Sequence, residues 1–401
     1  MKTKIQEDFS SSAQGMKRSA IREVLKLTQR EDIISFAGGL PAPESFPIED
    51  IKRIAAKVLD RDQSKALQYG ATEGENELRQ ILVDRYKKQG VELELENLVM
   101  LTSSQQGLSL LGKVFLDPDD IVICGLPSYL GGISAFATYG AKLHGIPFDD
   151  KGMRSDFLEK ELQSLKEKGK KPKFIYLVPD FQNPAGITMP ESRRKEIIAL
   201  AHKYEVLIVE DSPYRELRYE GEEQRMIYDL DKEGQTITLG TFSKTFVPGF
   251  RLGWVMADPS IIDKFVMSKQ SADLCTSAFL QKITIEYIKE GLYDKNIKTI
   301  IDNYREKRNI MLDAFEKYMP EGVSWTKPEG GLFLFLNLPE HMDAEQLFVK
   351  AIEEKVAFVI GSAFHCDGSG KNTMRLNFSH ASKQMNLEGV KRLAKVIKEE
   401  I

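Results

Sequence analysis

The stretch FIYLVPDFQNPAGITMPESRRKEIIALAHKYEVLIVEDSPY, residues 174–214, decides the fold. Phe174-Ile175-Tyr176-Leu177-Val178 is a continuous apolar run stopped by Pro179, and its length and β-branched content predict a strand buried on both faces. From Glu191 to Tyr204 the period changes: Ile197, Ile198, Leu200 and Ala201 share one side of a helix. Val206-Leu207-Ile208-Val209 then forms a second apolar run, closed by Glu210-Asp211. Strand, helix and strand in that order make a crossover unit of a parallel sheet.

Working outward, the pattern repeats. Val99-Met100-Leu101 leads into Thr102-Ser103-Ser104, where a helix carrying Leu108, Leu111, Val114 and Phe115 begins, with Ser103 or Ser104 as its N-cap. Ile121-Val122-Ile123-Cys124, Thr236-Ile237-Thr238-Leu239 and Leu252-Gly253-Trp254-Val255-Met256 supply more apolar runs. The expectation is an α/β protein whose large domain holds a mostly parallel seven-stranded sheet between helices. Beyond residue 285 the texture changes. A long charged helix over 294–318 precedes isolated strands at 332–336, 356–360 and 374–378, which predicts a smaller α+β domain. The expected division is 1–45 as an N-terminal arm and active-site loop, 46–285 as the large domain and 286–401 as the small one.

Bulk properties exclude several classes. A chain of 401 residues with 42% hydrophobic and 29% charged residues suits a globular protein of more than one core. The net charge of −4 comes without a basic block, so nucleic acid is not an expected partner. Cys124, Cys275 and Cys366 are scattered, and neither a disulfide framework nor a metal site is expected. No apolar run is long enough to span a membrane and the N-terminus turns acidic, so a cytoplasmic setting is expected.

Polar residues and glycines collect where the predicted parallel strands end, the place where open α/β sheets bind ligands. These are Ser103-Ser104-Gln105-Gln106-Gly107, Pro179-Asp180-Phe181-Gln182-Asn183-Pro184-Ala185-Gly186, Asp211-Ser212-Pro213-Tyr214 and Gly240-Thr241-Phe242-Ser243-Lys244-Thr245, with Arg251 seven residues past the lysine. Singly, each is an ordinary cap, turn or surface charge. Together they suit an aromatic aldehyde carrying a phosphate, a basic ring nitrogen and a phenolic oxygen, that is, pyridoxal 5′-phosphate (PLP). Asp211 suits the ring nitrogen, because a nearby carboxylate keeps it protonated. Asn183 and Tyr214 can donate to the phenolic oxygen. Thr241, Ser243, the Ser104-Gln105 helix start and Arg251 offer hydroxyls, backbone N–H groups and a cation to the phosphate. Lys244 is the amine to reach the aldehyde.

In order and spacing, this Ser-x-Lys with its downstream Arg, the Asn-Pro-x-Gly and the Asp-x-x-Tyr resemble those of the fold-type I, class I/II PLP-dependent aminotransferases. The branch with 2-aminoadipate and kynurenine aminotransferases is the most similar, and the likeness runs from Ser19-Ala20-Ile21-Arg22 to Met374-Arg375-Leu376. Ala185 departs from it, standing where the family usually has threonine. The resemblance implies that Lys244 forms the internal aldimine and then carries the proton from the substrate Cα. Tyr129 would stack on the ring, Arg375 would clamp the substrate carboxylate with Asn183 beside it, and Gly39 would let backbone approach the substrate. Tyr69 would reach the phosphate of the neighbouring subunit in a homodimer, and Arg22 would meet a distal carboxylate. The implied activity is transamination through pyridoxamine phosphate, from an L-amino acid of 2-aminoadipate, aromatic or branched-chain type to a 2-oxo acid such as 2-oxoglutarate. Two alternatives are a PLP-dependent lyase or β-eliminating enzyme on the same fold, and a PLP-sensing regulatory domain, for which no helix-turn-helix region is visible ahead of the pattern.

Overall fold

Residues 174–214 fold as strand, helix and strand because their two apolar runs are wanted on both faces at once. In the strands β6 (Phe174–Leu177) and β7 (Leu207–Asp211), alternate residues enter different cores. Ile175 and Ile208 pack with Ile197, Ile198 and Ala201 of the helix Glu191–Tyr204. Tyr176 and Val209 point the other way, into a cluster with Phe136 and Leu111. Each fully buried aliphatic side chain contributes roughly 1.5–3 kcal/mol, so register is fixed from both sides.

The computed structural model describes residues 8–16 and 32–401. The remaining strands are β1 (Ile34–Ser35), β2 (Leu98–Leu101), β3 (Ile121–Leu126), β4 (Lys142–Asp149), β5 (Gly152–Met153), β8 (Thr236–Thr241), β9 (Gly253–Met256), β10 (Ser324–Trp325), β11 (Phe333–Asn337), β12 (Val356–Ala357), β13 (Val359–Ile360) and β14 (Thr373–Asn377). The central sheet has the order β2-β9-β8-β7-β6-β3-β4-β5. Neighbours from β8 through β4 are parallel. Six of its strands match the apolar runs named above, and β4 with the two-residue β5, folded back on it by a tight turn, brings the sheet to eight strands where seven were expected.

Strand β9 runs antiparallel to both its neighbours. Its link from β8 is too short for a crossover helix and holds only the 3-10 turn Pro248–Phe250, so the chain must return in the opposite sense. That reversal brings Arg251 back to the end of the sheet that carries Lys244.

The second sheet is antiparallel, ordered β10-β11-β14-β13, and packs with the helices Leu292–Tyr318, Ala344–Glu353 and Lys383–Glu400. The single strand expected over 356–360 is broken. β12 pairs with the N-terminal β1 and β13 with β14, while Phe358, fully buried, anchors the break between them. Among the described residues, no helix is long and apolar enough to cross a membrane.

Arg194, on the helix between β6 and β7, is fully buried and bridges to Asp180 at 2.6 Å, with Glu210 at 3.9 Å. It also donates to the carbonyls of Met189 and Arg225, fixing the loop that carries Asn183. Removing one partner of a buried ion pair costs about 3–5 kcal/mol. Arg194→Met should therefore lower the unfolding free energy by about that amount in a denaturant titration. Pairing it with Asp180→Leu should recover part of the loss, because no unpaired carboxylate then remains at position 180.

Candidate active site

The parallel strands β6, β7 and β8 end side by side, and their exits deliver Asn183, Asp211 and Lys244 to one cleft. The helix Ser104–Phe115 starts at the same edge. Gly39, Ser104, Gln105, Tyr129, Asn183, Asp211, Tyr214, Thr241, Ser243, Lys244, Arg251 and Arg375 all line the cleft. It encloses about 1990 Å³ including its solvent-open mouth, room for a cofactor and a substrate together. Two expected residues stand apart from this group. Tyr69 is 79% exposed on the outer surface, and Arg22 lies outside the described residues.

Asp211 sits at the buried end of β7. Its Oδ2 accepts a hydrogen bond from Tyr176 Oη at 2.8 Å, while its Oδ1 is buried with no partner in the protein. Burial pushes its carboxyl up to about 7, against the opposing pull of Tyr176 and Lys244. Lys244 Nζ donates to the carbonyl of Gly39 at 2.8 Å. Burial, then the cations Arg375 and Arg251, bring its amine down to about 8, with Asp211 pulling the other way. A lysine held this way is partly free-base at neutral pH, the form that attacks a carbonyl.

At one end of the cleft, Arg251 Nη2 donates to Ser103 Oγ at 2.6 Å, and Thr241 Oγ1 lies 2.9 Å from Ser243 Oγ. Ser103 is the residue before the helix, as expected, but its side chain caps nothing. With φ at 71° it turns its hydroxyl to Arg251 instead. Gly253 makes this packing possible. A Cβ there would fall 2.6 Å from the Ser104 nitrogen and 2.8 Å from the Gly240 oxygen, both backbone atoms that cannot yield.

At the opposite end, Arg375 reaches from β14 toward the large sheet. It donates to Asn183 Oδ1 at 2.9 Å and to the Ala37 carbonyl at 2.6 Å, leaving its buried Nε without a partner. Phe333 and Phe364 lie 4.3 and 5.0 Å from its guanidinium, and burial lowers its pKa to about 10. Asn183 Nδ2 donates onward to Tyr214 Oη at 3.3 Å. Tyr129 Oη donates to Gln105 Oε1 at 3.4 Å.

Several residues here escaped the sequence reading as site residues. Tyr176 was legible only as a strand residue, although a hydroxyl inside an otherwise apolar run was a signal. Ser103 was visible as a cap. Phe333 and Phe364 carried no separate signal, because an aromatic beside Arg375 depends on how β11 and the turn Gly361–Phe364 pack on β14.

The donor set fits PLP on the protein's own chemistry. The unpartnered Asp211 oxygen faces the cleft where a protonated ring nitrogen would complete it, and hydroxyls, a helix start and Arg251 lie together where a phosphate would bind. Among the described residues no group of three or more His, Cys, Asp or Glu could hold a metal ion.

Residues 31–393 match the family described as aminotransferase class I and II. The chain is 48% identical over 394 residues to aromatic-amino-acid aminotransferase 1 of Thermococcus litoralis, covering 98% of this chain and 94% of that protein. The solved kynurenine aminotransferase of Pyrococcus horikoshii, in complex with PMP, has a TM-score of 0.96 at 46% identity, over 99% of this chain and 98% of that one. The α-aminoadipate aminotransferase of Thermus thermophilus, complexed with N-(5′-phosphopyridoxyl)-L-leucine, has a TM-score of 0.91 at 38% identity, over 99% of both chains. A sheet that gathers these groups at one edge and a match spanning nearly the whole sequence lead to one conclusion: the chain belongs to the class I and II aminotransferases, PLP-dependent enzymes of fold type I.

Proposed function

We propose that the chain transfers the amino group of an aromatic, kynurenine-type or 2-aminoadipate-type L-amino acid to a 2-oxo acid such as 2-oxoglutarate, working as a homodimer. The observation that carries the reading is the convergence of the half-satisfied Asp211 carboxylate, the Lys244 amine and the Arg375 guanidinium on one cleft. PLP, when bound, supplies the electron sink that makes a substrate Cα proton acidic.

The chain's own groups do the rest. Asp211 keeps a negative charge beside the ring nitrogen, held in place by Tyr176. Asn183 and Tyr214 orient the ring from its phenolic side, and Tyr129 covers its face. Ser104, Gln105, Thr241, Ser243 and Arg251 hold the phosphate. Arg375, flanked by two aromatic rings and tied to Asn183, receives the substrate carboxylate as a fork. Gly39 closes the cleft by backbone alone. Lys244, positioned by that backbone, takes the Cα proton and returns it on the other side of the transferred nitrogen. Tyr69 serves the partner's site, in keeping with its position on the outer surface.

The donor preference follows from charge. Lys244, Arg251 and Arg375 are the cations among the described residues lining the cleft, and each has a role already. Beside them the cleft is lined by Leu40, Pro41, Leu130, Ala135 and Val178 with Tyr139, and by the uncharged hydroxyls of Ser109, Ser134 and Thr138. Such a wall favours an apolar or aromatic side chain, and a distal carboxylate requires a further cation, for which Arg22 is the candidate.

Four outcomes test the reading. With a panel of amino acids and 2-oxoglutarate, phenylalanine, tyrosine and kynurenine should turn over faster than aspartate. Arg22→Ala should weaken 2-aminoadipate and 2-oxoglutarate more than phenylalanine. If no amino acid yields an oxo acid, the reading fails. Lys244→Ala should lower turnover by at least the ~10²–10⁴-fold that a positioned proton carrier provides, while amino acids still bind.

The fourth outcome is a pH dependence of stability. In the folded, cofactor-free chain Asp211 keeps its proton up to about pH 7, whereas its ordinary value is 3.8. The folded state thus holds the extra proton between those values. Its contribution to stability is complete below about pH 4 and is lost as pH rises through about 7. Asp211→Asn should flatten that fall when melting temperatures are compared at pH 5 and pH 8.

A further inference from the structure

Cys124 and Cys366, 242 positions apart in sequence, lie with their sulfurs 3.7 Å from each other. Cys124 is buried on β3. Cys366 is half-buried and opens an exposed loop, Asp367-Gly368-Ser369. Neither thiol takes part in the chemistry above, yet both adjoin its walls. From Cys124, β3 runs out to Tyr129, which lines the cleft. Two residues before Cys366, Phe364 lies against the Arg375 guanidinium. The two walls already touch here, since the Ser128 N–H donates to the Phe364 carbonyl at 2.8 Å.

We propose that Cys124 and Cys366 form a reversible disulfide, an oxidative modification site that ties the Tyr129 wall of the cleft to the Arg375 wall. A disulfide needs its sulfurs at about 2.05 Å, so the pair must close by roughly 1.7 Å from its present 3.7 Å. The movable partner is Cys366, because it is half-buried at the start of an exposed loop, whereas Cys124 is buried in the hydrogen-bonded strand β3. The thiols are also unequal. The Cys124 S–H donates to Cys366, which favours the Cys366 thiolate, while that same contact and burial push Cys124 up.

With hydrogen peroxide as oxidant, the Cys366 thiolate attacks one peroxide oxygen and becomes a sulfenic acid, and the other oxygen leaves as water after taking a proton. The Cys124 sulfur then attacks the Cys366 sulfur, forming the S–S bond and expelling the sulfenic oxygen as a second water. Two thiols give up two electrons in total and one peroxide accepts them.

The test uses the reduced holoenzyme and dilute hydrogen peroxide. Thiol titration after denaturation should fall from the three cysteines of the chain to one. A digest without reductant should contain a peptide linking Cys124 to Cys366, and dithiothreitol should restore the starting count. Cys275→Ser should still link, whereas Cys366→Ser, a change outside the catalytic groups, should keep full activity and never link. The linked enzyme should melt at a higher temperature and show a several-fold lower kcat, reversed by dithiothreitol, as its walls can no longer separate freely. Three persistent thiols, or Cys366 over-oxidised to sulfinic acid with Cys124 unlinked, would overturn the proposal. Linked enzyme with unchanged kcat would overturn the tie between the two walls. The cross-link readouts are independent of which amino acid the enzyme uses.

Discussion

A carboxylate buried at the end of a parallel strand is costly to keep charged, and the site is organised around that cost. Asp211 satisfies one oxygen with Tyr176 and leaves the other bare. Alone, the protein resolves the conflict by raising the carboxyl toward neutral pH while lowering the Lys244 amine, so that both drift toward their uncharged forms. A cationic ring nitrogen at the bare oxygen removes the conflict. Binding energy is thereby directed at one feature of the cofactor, the protonated ring that makes it an electron sink.

The same sheet edge carries the opposite charge arrangement a few residues away. The return of β9 against β8 places Arg251 beside Ser103, and the absence of a side chain at Gly253 lets strand and helix start touch. Positive charge is concentrated there by main-chain geometry and by a cation that the fold must bring back. Arg375 comes from the second sheet, and its fork spans to Asn183 and to the Ala37 carbonyl. One end of the cleft is thus fixed within the central sheet, whereas the other depends on how two sheets and the segment before residue 41 meet.

That difference explains what could be read from the sequence. Apolar runs at strand length revealed the central sheet, and the polar residues at their ends marked the side chains that meet in the cleft, because strand exits are dictated locally. The direction of β9 was harder, since it follows from the missing crossover helix between Thr241 and Gly253. The break at Phe358 was illegible, because 356–360 is a uniformly apolar run whose two halves pair with strands distant in sequence. Ser103 read as a helix cap because position alone suggests one, and only the arrival of Arg251 turns its hydroxyl away. Tyr176 read as core for the same reason: its partner, Asp211, is on the next strand.

Chemistry and selectivity are accordingly placed on different parts of the molecule. On the proposed function, proton transfer and cofactor electronics would rest on residues held by parallel strands and by buried ion pairs such as Arg194–Asp180, where Arg194 also fixes the loop that carries Asn183. On the proposed function, the substrate wall would comprise Leu40, Pro41 and the start of the helix Leu130–Thr138, and Ser128, just before that helix, donates to Phe364 in the turn that precedes β14. A wall of apolar contacts tolerates different side chains at a cost of only about 1–3 kcal/mol per methylene. Arg375, desolvated between two rings, would favour a planar anion such as a carboxylate. On the proposed function, an enzyme built this way would be strict about the α-carboxylate that every amino acid shares and lenient about the side chain, so a change of donor range would be reached most easily through the wall and would leave Lys244 and Asp211 untouched.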